Sequence, residues 1–491
     1  MGEQIEFCSE ILDNVHGFIP YTQAEKKIMD TLLFKRLQSI KQLSVVNWVF
    51  PGSEHTRFIH SLGVMHIADK IATRLNLTTK ERKILRFAGL LHDIGHYPLS
   101  HVCEFPYKKS LALLDLPDDR FCHEINAEVE SRVTGFSIEK KITLMAKSTG
   151  RHHESIGSMI VLHNEEIKSI VVQECDDESA PEIIADIIIG NVERADIDPL
   201  LVQIIHSELD ADGIDYLMRD ATFSGTSFGT FELDQLIRCM EIGIKDGKRI
   251  LSITPKGIAA ADQYLVNKFF SYSQVVFNKH IVISEWMAEQ VVNWMQKHSA
   301  IFPDGVTLEK WATSSGKEYL SFTDNYFWAA LERILSNELS DLVPNYIKAF
   351  CKCLLHHQEP KYIQGSEIRI VSDNEEEIKS ELKKSVLITN PEDNDSKITI
   401  MSSRCMSSQM PYDAFVAAAK EKQTAREGSS EINEQEISDL ELWRLMECIC
   451  VREQDGELHL LCDDHRSLMR KLYNTNIVVL RTYEFPLQQS N

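Results

Sequence analysis

The chain has 491 residues, too many for one ordinary domain and enough for two or three. Hydrophobic residues make up 43% and charged residues 26%, a soluble globular balance, and no run of about 18 uncharged apolar residues occurs that would span a membrane. Lysine plus arginine number 52 against 74 aspartates plus glutamates, a formal charge of −22, which argues against general nucleic-acid binding and leaves only local phosphate sites.

The acidic start MGEQIEFCSEILDN lacks the basic and apolar parts of a signal peptide. The eleven cysteines show no regular framework, and the pairs Cys351/Cys353 and Cys448/Cys450 are too closely spaced for a zinc knuckle. They read as reduced thiols of a cytoplasmic protein. Apolar residues recur at helical spacing in Arg36–Val46, Leu62–Leu75 and Lys80–Leu91. Thr78 and Glu81 fit a capping box at the head of the helix that carries Leu85, Ala88 and His92. That helix is expected to end near Gly95, because Tyr97 precedes Pro98 and is biased away from helical angles. Helices are also predicted over Gly213–Arg219 and, unbroken, over Ala259–Met295.

Composition changes after about residue 300. Short β-rich runs (Ile368–Val371, Val386–Thr389, Lys397–Met401) alternate with acidic stretches, and residues 420–439 read as a linker or mobile loop. Leu458–Cys462, a helix from Ser467 to Tyr473 and Ile477–Tyr483 form a strand–helix–strand pattern. The predicted fold is mainly α, with a smaller C-terminal α+β lobe.

The chemistry concentrates in HTRFIHSLGVMHIADK and GLLHDIGHYPLSHVCE, which hold His55, Arg57, His60, His66, His92, Asp93, His96 and His101. An adjacent His92–Asp93 pair at a helix end directs an imidazole and a carboxylate at one cation. His60 offers a third ligand. Asp212, in SELDADGIDYLMRD, offers a fourth from far along the chain. Asp212, Tyr216 and Asp220 stand at i, i+4 and i+8 of one helix face, with Arg219 beside them. Alone, that acidic helix reads as a solvated face; the upstream His–Asp pair makes it a candidate site.

These residues resemble the HD-domain phosphohydrolases, whose signature is His … His-Asp … Asp. The resemblance is closest to the deoxynucleoside triphosphate triphosphohydrolases, through LDNVHGFI, FKRLQSIKQL, VFPGSEHTRFIHSLGV and AGLLHDIGHYPLSH. It is near-continuous from about Leu12 to Glu104, returns at RHHESIGSMIV, DADGIDYLMRD and KFFSYSQVVFNKH, and fades after about residue 300. It implies an all-α HD-domain core over residues 1–300, with an insertion at about 105–150. Residues 301–491 then form an accessory, regulatory or oligomerisation region.

The implied metal ligands are His60, His92, Asp93 and Asp212, a mixed nitrogen and oxygen set that suits iron, manganese, zinc or nickel. The implied reaction converts a dNTP to deoxynucleoside and tripolyphosphate. By resemblance, His101 is the general acid oriented by Glu104, where the family has aspartate, and His96 lies beside the same phosphate. A further family histidine is supplied by His123 or His153; the following Gly157–Met159 favours His153. Arg57, Tyr216 and Lys268 are implied phosphate contacts, with Mg2+ accompanying the triphosphate. Gln42 and Asp220 are implied to hold the sugar 3′-hydroxyl, with Leu43 against the ring.

Several positions depart from the family. Gly213 replaces a lysine, and Val276 and Asn278 replace a tyrosine–histidine pair. Asp30 matches the activator pocket of the vertebrate enzyme, but Lys35, Gln38 and Leu12 do not, which argues against a guanine-nucleotide activator and leaves another nucleotide as the effector. The resemblance also implies a homo-oligomer and a role in limiting dNTPs, including in defence against phage. The competing expectations are an HD phosphohydrolase acting on a monophosphate, cyclic nucleotide or alarmone, and a non-catalytic nucleotide sensor.

Overall fold

The structure, a computed structural model, describes residues 4–104, 107, 152–192, 197–298, 301–314, 316–336, 343–371, 397–406, 442, 444–473 and 475–485. The expected insertion at 105–150 apart from Tyr107, and with it His123, lies outside the described residues, as do Val386–Thr389 and the segment 420–439. No described helix is long and apolar enough to cross a membrane.

A short antiparallel hairpin, β1 (Ser9–Asp13) and β2 (Gly17–Tyr21), precedes the helices. Helix α1 (Gln23–Asp30) starts at a Thr22–Glu25 capping box. Two long helices, α2 (Arg57–Arg74) and α3 (Thr79–Leu91), pack against each other, and α3 begins at the expected Thr78–Glu81 box. Arg86 of α3 is fully buried and binds Glu25 (2.6 and 2.7 Å) and Asp69 (2.9 Å), which ties the first three helices together. The described cysteines are free thiols.

Further helices complete this part: α4 (His152–His163), α5 (Glu165–Cys175), α6 (Ala180–Ile188), α7 (Pro199–Ile205) and α8 (Ala211–Ser224). Asp210 caps α8 by accepting the Gly213 amide, and left-handed Gly225 ends it. All of these surround one apolar core that includes Ile67, Ala88, Leu91, Ile160 and Leu217.

Two predicted helices are corrected. Arg36–Val46 is not a continuous helix. A four-residue α-turn (Leu32–Lys35) passes into a 3-10 turn (Arg36–Ser39), and Ser44 sits at a left-handed φ of 48°. Arg36 there serves other segments, donating to the carbonyls of Phe322 (3.0 Å), Ile94 (3.4 Å) and His96. The expected Ala259–Met295 helix is two helices, α9 (Ile258–Ser271) and α10 (Lys279–His298), separated by a π-turn at Tyr272–Val276. Asn278 restarts the chain by accepting the His280 amide on its side chain at 3.0 Å.

Helical structure continues past residue 300, through α11 (Asp324–Leu335) to Leu355. Two sheets follow. Strands β3 (Met240–Lys245) and β4 (Lys248–Ile253) form a hairpin, and β4 pairs in parallel with β7 (Cys450–Arg452), which pairs with β8 (Leu458–Leu460). The other sheet has the order β5 (Lys361–Val371), β9 (Thr475–Glu484), β6 (Lys397–Cys405), all antiparallel. The strands on either side of the short helix Met469–Leu472 therefore belong to different sheets.

Candidate metal centre and active site

His60 comes from the first turn of α2, His92 and Asp93 from the end of α3, and Asp212 from the first turn of α8. The side-chain donor atoms of His60, His92 and Asp93 lie within 4.8 Å of one another, and all three residues are buried. His60 Nε2 is 3.0 Å from Asp212 Oδ1 and 3.8 Å from Asp93 Oδ2, while His92 Nε2 is 3.5 Å from Asp93 Oδ1 and 3.9 Å from Asp212 Oδ1. The four expected ligands thus converge.

Hydrogen bonding fixes the tautomers in the sense a cation needs. His92 donates its Nδ1–H to the Gly89 carbonyl at 2.8 Å, so its Nε2 presents a lone pair. That nitrogen is buried and has no hydrogen-bond partner among the described residues. His60 donates Nδ1–H to Asp215 at 2.7 Å, and its Nε2 likewise faces the carboxylates. Burial opposes charge on His60, but Asp212 and Asp215 outweigh it and push its pKa up to about 10. Burial also opposes ionisation of Asp93, but Arg57, His92 and His60 hold its carboxyl well below the usual range. With a cation in place of the proton that Asp212 holds on His60 Nε2, two imidazole nitrogens and two carboxylates fit a divalent transition ion.

Behind the cluster stands a buried ionic network. Asp215 also accepts from His16 (2.6 Å) and Arg219 (2.8 and 3.0 Å), and Arg219 binds Asp13 (2.7 Å). Gly63 of α2 faces this network: a Cβ there would lie 1.8 Å from Asp215 Oδ1. Sequence reasoning missed this layer. Its signal was present as Asp215 and Arg219 at i, i+4, one turn beyond a ligand, but His16 and Asp13 carry no spacing cue.

Beside the metal ligands lies a second group. Fully buried Glu104 accepts Nδ1–H of His101 (2.9 Å), Nδ1–H of His153 (3.0 Å) and the His153 amide (3.1 Å). His153 Nε2 is 3.7 Å from Asp93 Oδ1, and the His153 ring stacks on His96 at 4.2 Å. His96 Nδ1 accepts the Tyr97 amide at 3.0 Å, so neutral His96 carries its proton on Nε2. Burial, with Arg57 and His153 nearby, drives its pKa well down. That Nε2–H is buried, lacks a partner among the described residues, and lies 4.0 Å from Asp93. The ring nitrogens of His96, His101 and His153 form a second group within 4.8 Å of one another. His101 is half exposed.

The loop that carries them is held under strain. Leu99 and Ser100 both adopt left-handed φ, 50° and 54°. Asp324, at the start of α11, accepts the amides of Leu99 (2.7 Å) and Lys41 (3.0 Å), while Ser100 donates to the Lys41 carbonyl (2.7 Å).

The remaining expected residues lie around this centre. Arg57 is buried and donates to Asp93 (2.8 Å), Ser100 (3.0 Å) and the Gln42 carbonyl (3.4 Å). Gln42 donates its amide to the His55 carbonyl (3.0 Å), and His55 pairs with Asp220 (2.8 Å), which brings Gln42 and Asp220 to one side of the site. The Gln42 side-chain carbonyl is buried without a partner among the described residues. Leu43 packs half-buried against the core. Lys268 Nζ lies 5.9 Å from the Tyr216 ring and 5.6 Å from that of Tyr264. His66 is not part of the cluster: it sits against His16, and burial with that neighbour pushes its pKa down to about 4. A third group, Glu453, His459 and Asp464, is bridged by Arg466, which binds both carboxylates.

Residues 57–217 match the HD domain. The chain is 29% identical over 324 residues to an uncharacterised protein of Methanocaldococcus jannaschii, covering 66% of this chain and 57% of that one. It is 40% identical over 121 residues to the deoxynucleoside triphosphate triphosphohydrolase SAMHD1 of Bos taurus, covering 23% of this chain and 20% of that protein. The chain spans about half to two thirds of the length of its longest-matching curated relatives. A hypothetical protein from Aquifex aeolicus shares the fold, with a TM-score of 0.63 and 22% identity over 97% of this chain and 96% of that one. The chain thus carries a segment, Arg57 to Leu217, that is similar to the HD domain.

Proposed function

We propose that the protein is a metal-dependent dNTP triphosphohydrolase that releases deoxynucleoside and tripolyphosphate. The observation that carries this reading is the convergence of His60, His92, Asp93 and Asp212 beside the His101–Glu104–His153 group. The local similarity to enzymes named for that activity supports the substrate class. When bound, a divalent transition ion (iron, manganese, zinc or nickel) supplies Lewis acidity at the phosphate.

The chain's own residues do the rest. His101, oriented through Nδ1 by Glu104, gives a proton from Nε2 to the departing 5′-oxygen. His153 shares that carboxylate and keeps Glu104 fixed between two imidazoles. His96 donates its Nε2–H to a phosphate oxygen. Arg57 neutralises Asp93 and adds positive charge where the phosphate enters. Tyr216 and Lys268 hold the outer phosphates, with Mg2+ on the triphosphate. Gln42 and Asp220 take the 3′-hydroxyl, and Leu43 packs on the deoxyribose.

In this reading the enzyme is cytoplasmic and homo-oligomeric, takes a nucleotide effector, and uses residues 301–491 as an accessory region. Its role is to limit dNTPs, as in defence against phage. The test is to incubate metal-loaded protein with each dNTP and NTP, every other nucleotide being added in turn as activator, and to resolve the products. Tripolyphosphate from dNTPs supports the proposal. Orthophosphate from monophosphates assigns the site to another nucleotide, and nucleotide binding without turnover makes it a sensor.

A further inference from the structure

A second cation approaches the same site from the C-terminal sheet. Arg404, on strand β6, places its guanidinium carbon 4.3 Å from the centre of the Tyr272 ring. Tyr272 opens the π-turn and stands four residues beyond Lys268, so the two project from neighbouring turns. Lys268 in turn lies over Tyr216, which stands one turn beyond the metal-site carboxylate Asp212 on α8. The path from Asp212 through Tyr216 therefore leads to Lys268 and Tyr272, and then to Arg404.

Lys268 and Tyr216 both lie within electrostatic reach of Arg404. Two cations brought together from elements more than 130 residues apart, each lying over tyrosine rings, form a natural seat for a polyanion. The backbone supports the placement. β6 pairs with β9 along its length, with Arg404 opposite Ile477. Tyr483 of β9 donates its hydroxyl to the Lys279 carbonyl at 2.6 Å, tying this sheet to the segment just after the π-turn.

We propose that Arg404 is a phosphate-binding residue of the HD-domain site, and that with Lys268 it grips the outer end of a triphosphate chain entering from the C-terminal sheet. A guanidinium can meet phosphate oxygens with two N–H groups at once, which an ammonium cannot reproduce. This rests on the reading above that the site accepts a triphosphate ester.

The test uses the full-length, metal-loaded protein and inorganic tripolyphosphate in isothermal titration calorimetry, with the dNTP and the bare deoxynucleoside as parallel arms. Arg404→Gln is expected to weaken tripolyphosphate and dNTP binding at least tenfold, leaving deoxynucleoside binding and metal content within twofold of wild type. Arg404→Lys is expected to recover only part of the loss. In turnover, the Gln variant raises KM about tenfold with kcat within threefold. Unchanged tripolyphosphate affinity in both variants overturns the proposal, as does failure of the wild-type protein to bind tripolyphosphate. If wild type binds tripolyphosphate through Arg404 but hydrolyses no dNTP, Arg404 stands as an anion site and only the proposed reaction falls.

Discussion

Asp215 accepts the Nδ1–H of His60 at 2.7 Å, and the same carboxylate carries the His16 and Arg219 contacts. His60 is thus held from behind, by a carboxylate on the opposite ring nitrogen from Asp212. A carboxylate in this position fixes the tautomer and raises the basicity of the ligating nitrogen.

Asp215→Asn therefore should lower metal affinity by about 10–100-fold while leaving all four ligands in place. Because Arg219 is buried against Asp215, the variant should also lose stability, by about 3–5 kcal/mol. Metal titration and thermal unfolding measure the two effects separately. Full metal affinity in the variant would show that the His60–Asp215 contact is structural only.

Glu104 spans His101 and His153 with its two oxygens. Glu104→Gln replaces one accepting oxygen with a donor, so one imidazole must turn away. Turnover should fall by about 10²–10⁴ with metal content unchanged. Glu104→Asp, shorter by one methylene, should keep one contact and fall between wild type and Gln. Equal rates for all three proteins would remove Glu104 from the proton path.

Glu285 of α10 tests the electrostatics of the scaffold away from the metal. Burial, with Glu289 one turn on, pushes its pKa up to about 8. A carboxyl whose folded-state pKa is raised contributes stability that is complete below its unfolded pKa and is lost as pH rises through the folded value. Glu285→Gln cannot ionise and should escape this loss. The variant's stability advantage should grow by at least about 1 kcal/mol between pH 5 and pH 9, read from denaturant melts at each pH. A flat difference would place the proton elsewhere.

Much of this architecture is legible in the sequence where one local cause acts alone. The Thr78–Glu81 box gives α3 nearly to the residue, and the periodicity of Leu62–Leu75 gives α2 from its second turn on. The His92–Asp93 pair is legible because its spacing is chemical rather than topological. Arg36–Val46 misleads because its apolar residues pack around a loop that Arg36 and Asp324 hold by contacts over large sequence distances. The break at Tyr272–Val276 is hidden because no proline or glycine marks it. His16 and Asp13 were out of reach because their contacts with Asp215 and Arg219 arise only once distant segments meet.

If four side chains from three helices share one ion, the purified full-length protein should hold transition metal that His92→Ala and Asp212→Ala do not, as read by elemental analysis after dialysis. One ion per chain is expected in wild type, with near-complete loss in both variants and unfolding transitions that remain cooperative. An ion retained at full occupancy in both folded variants would overturn the shared site.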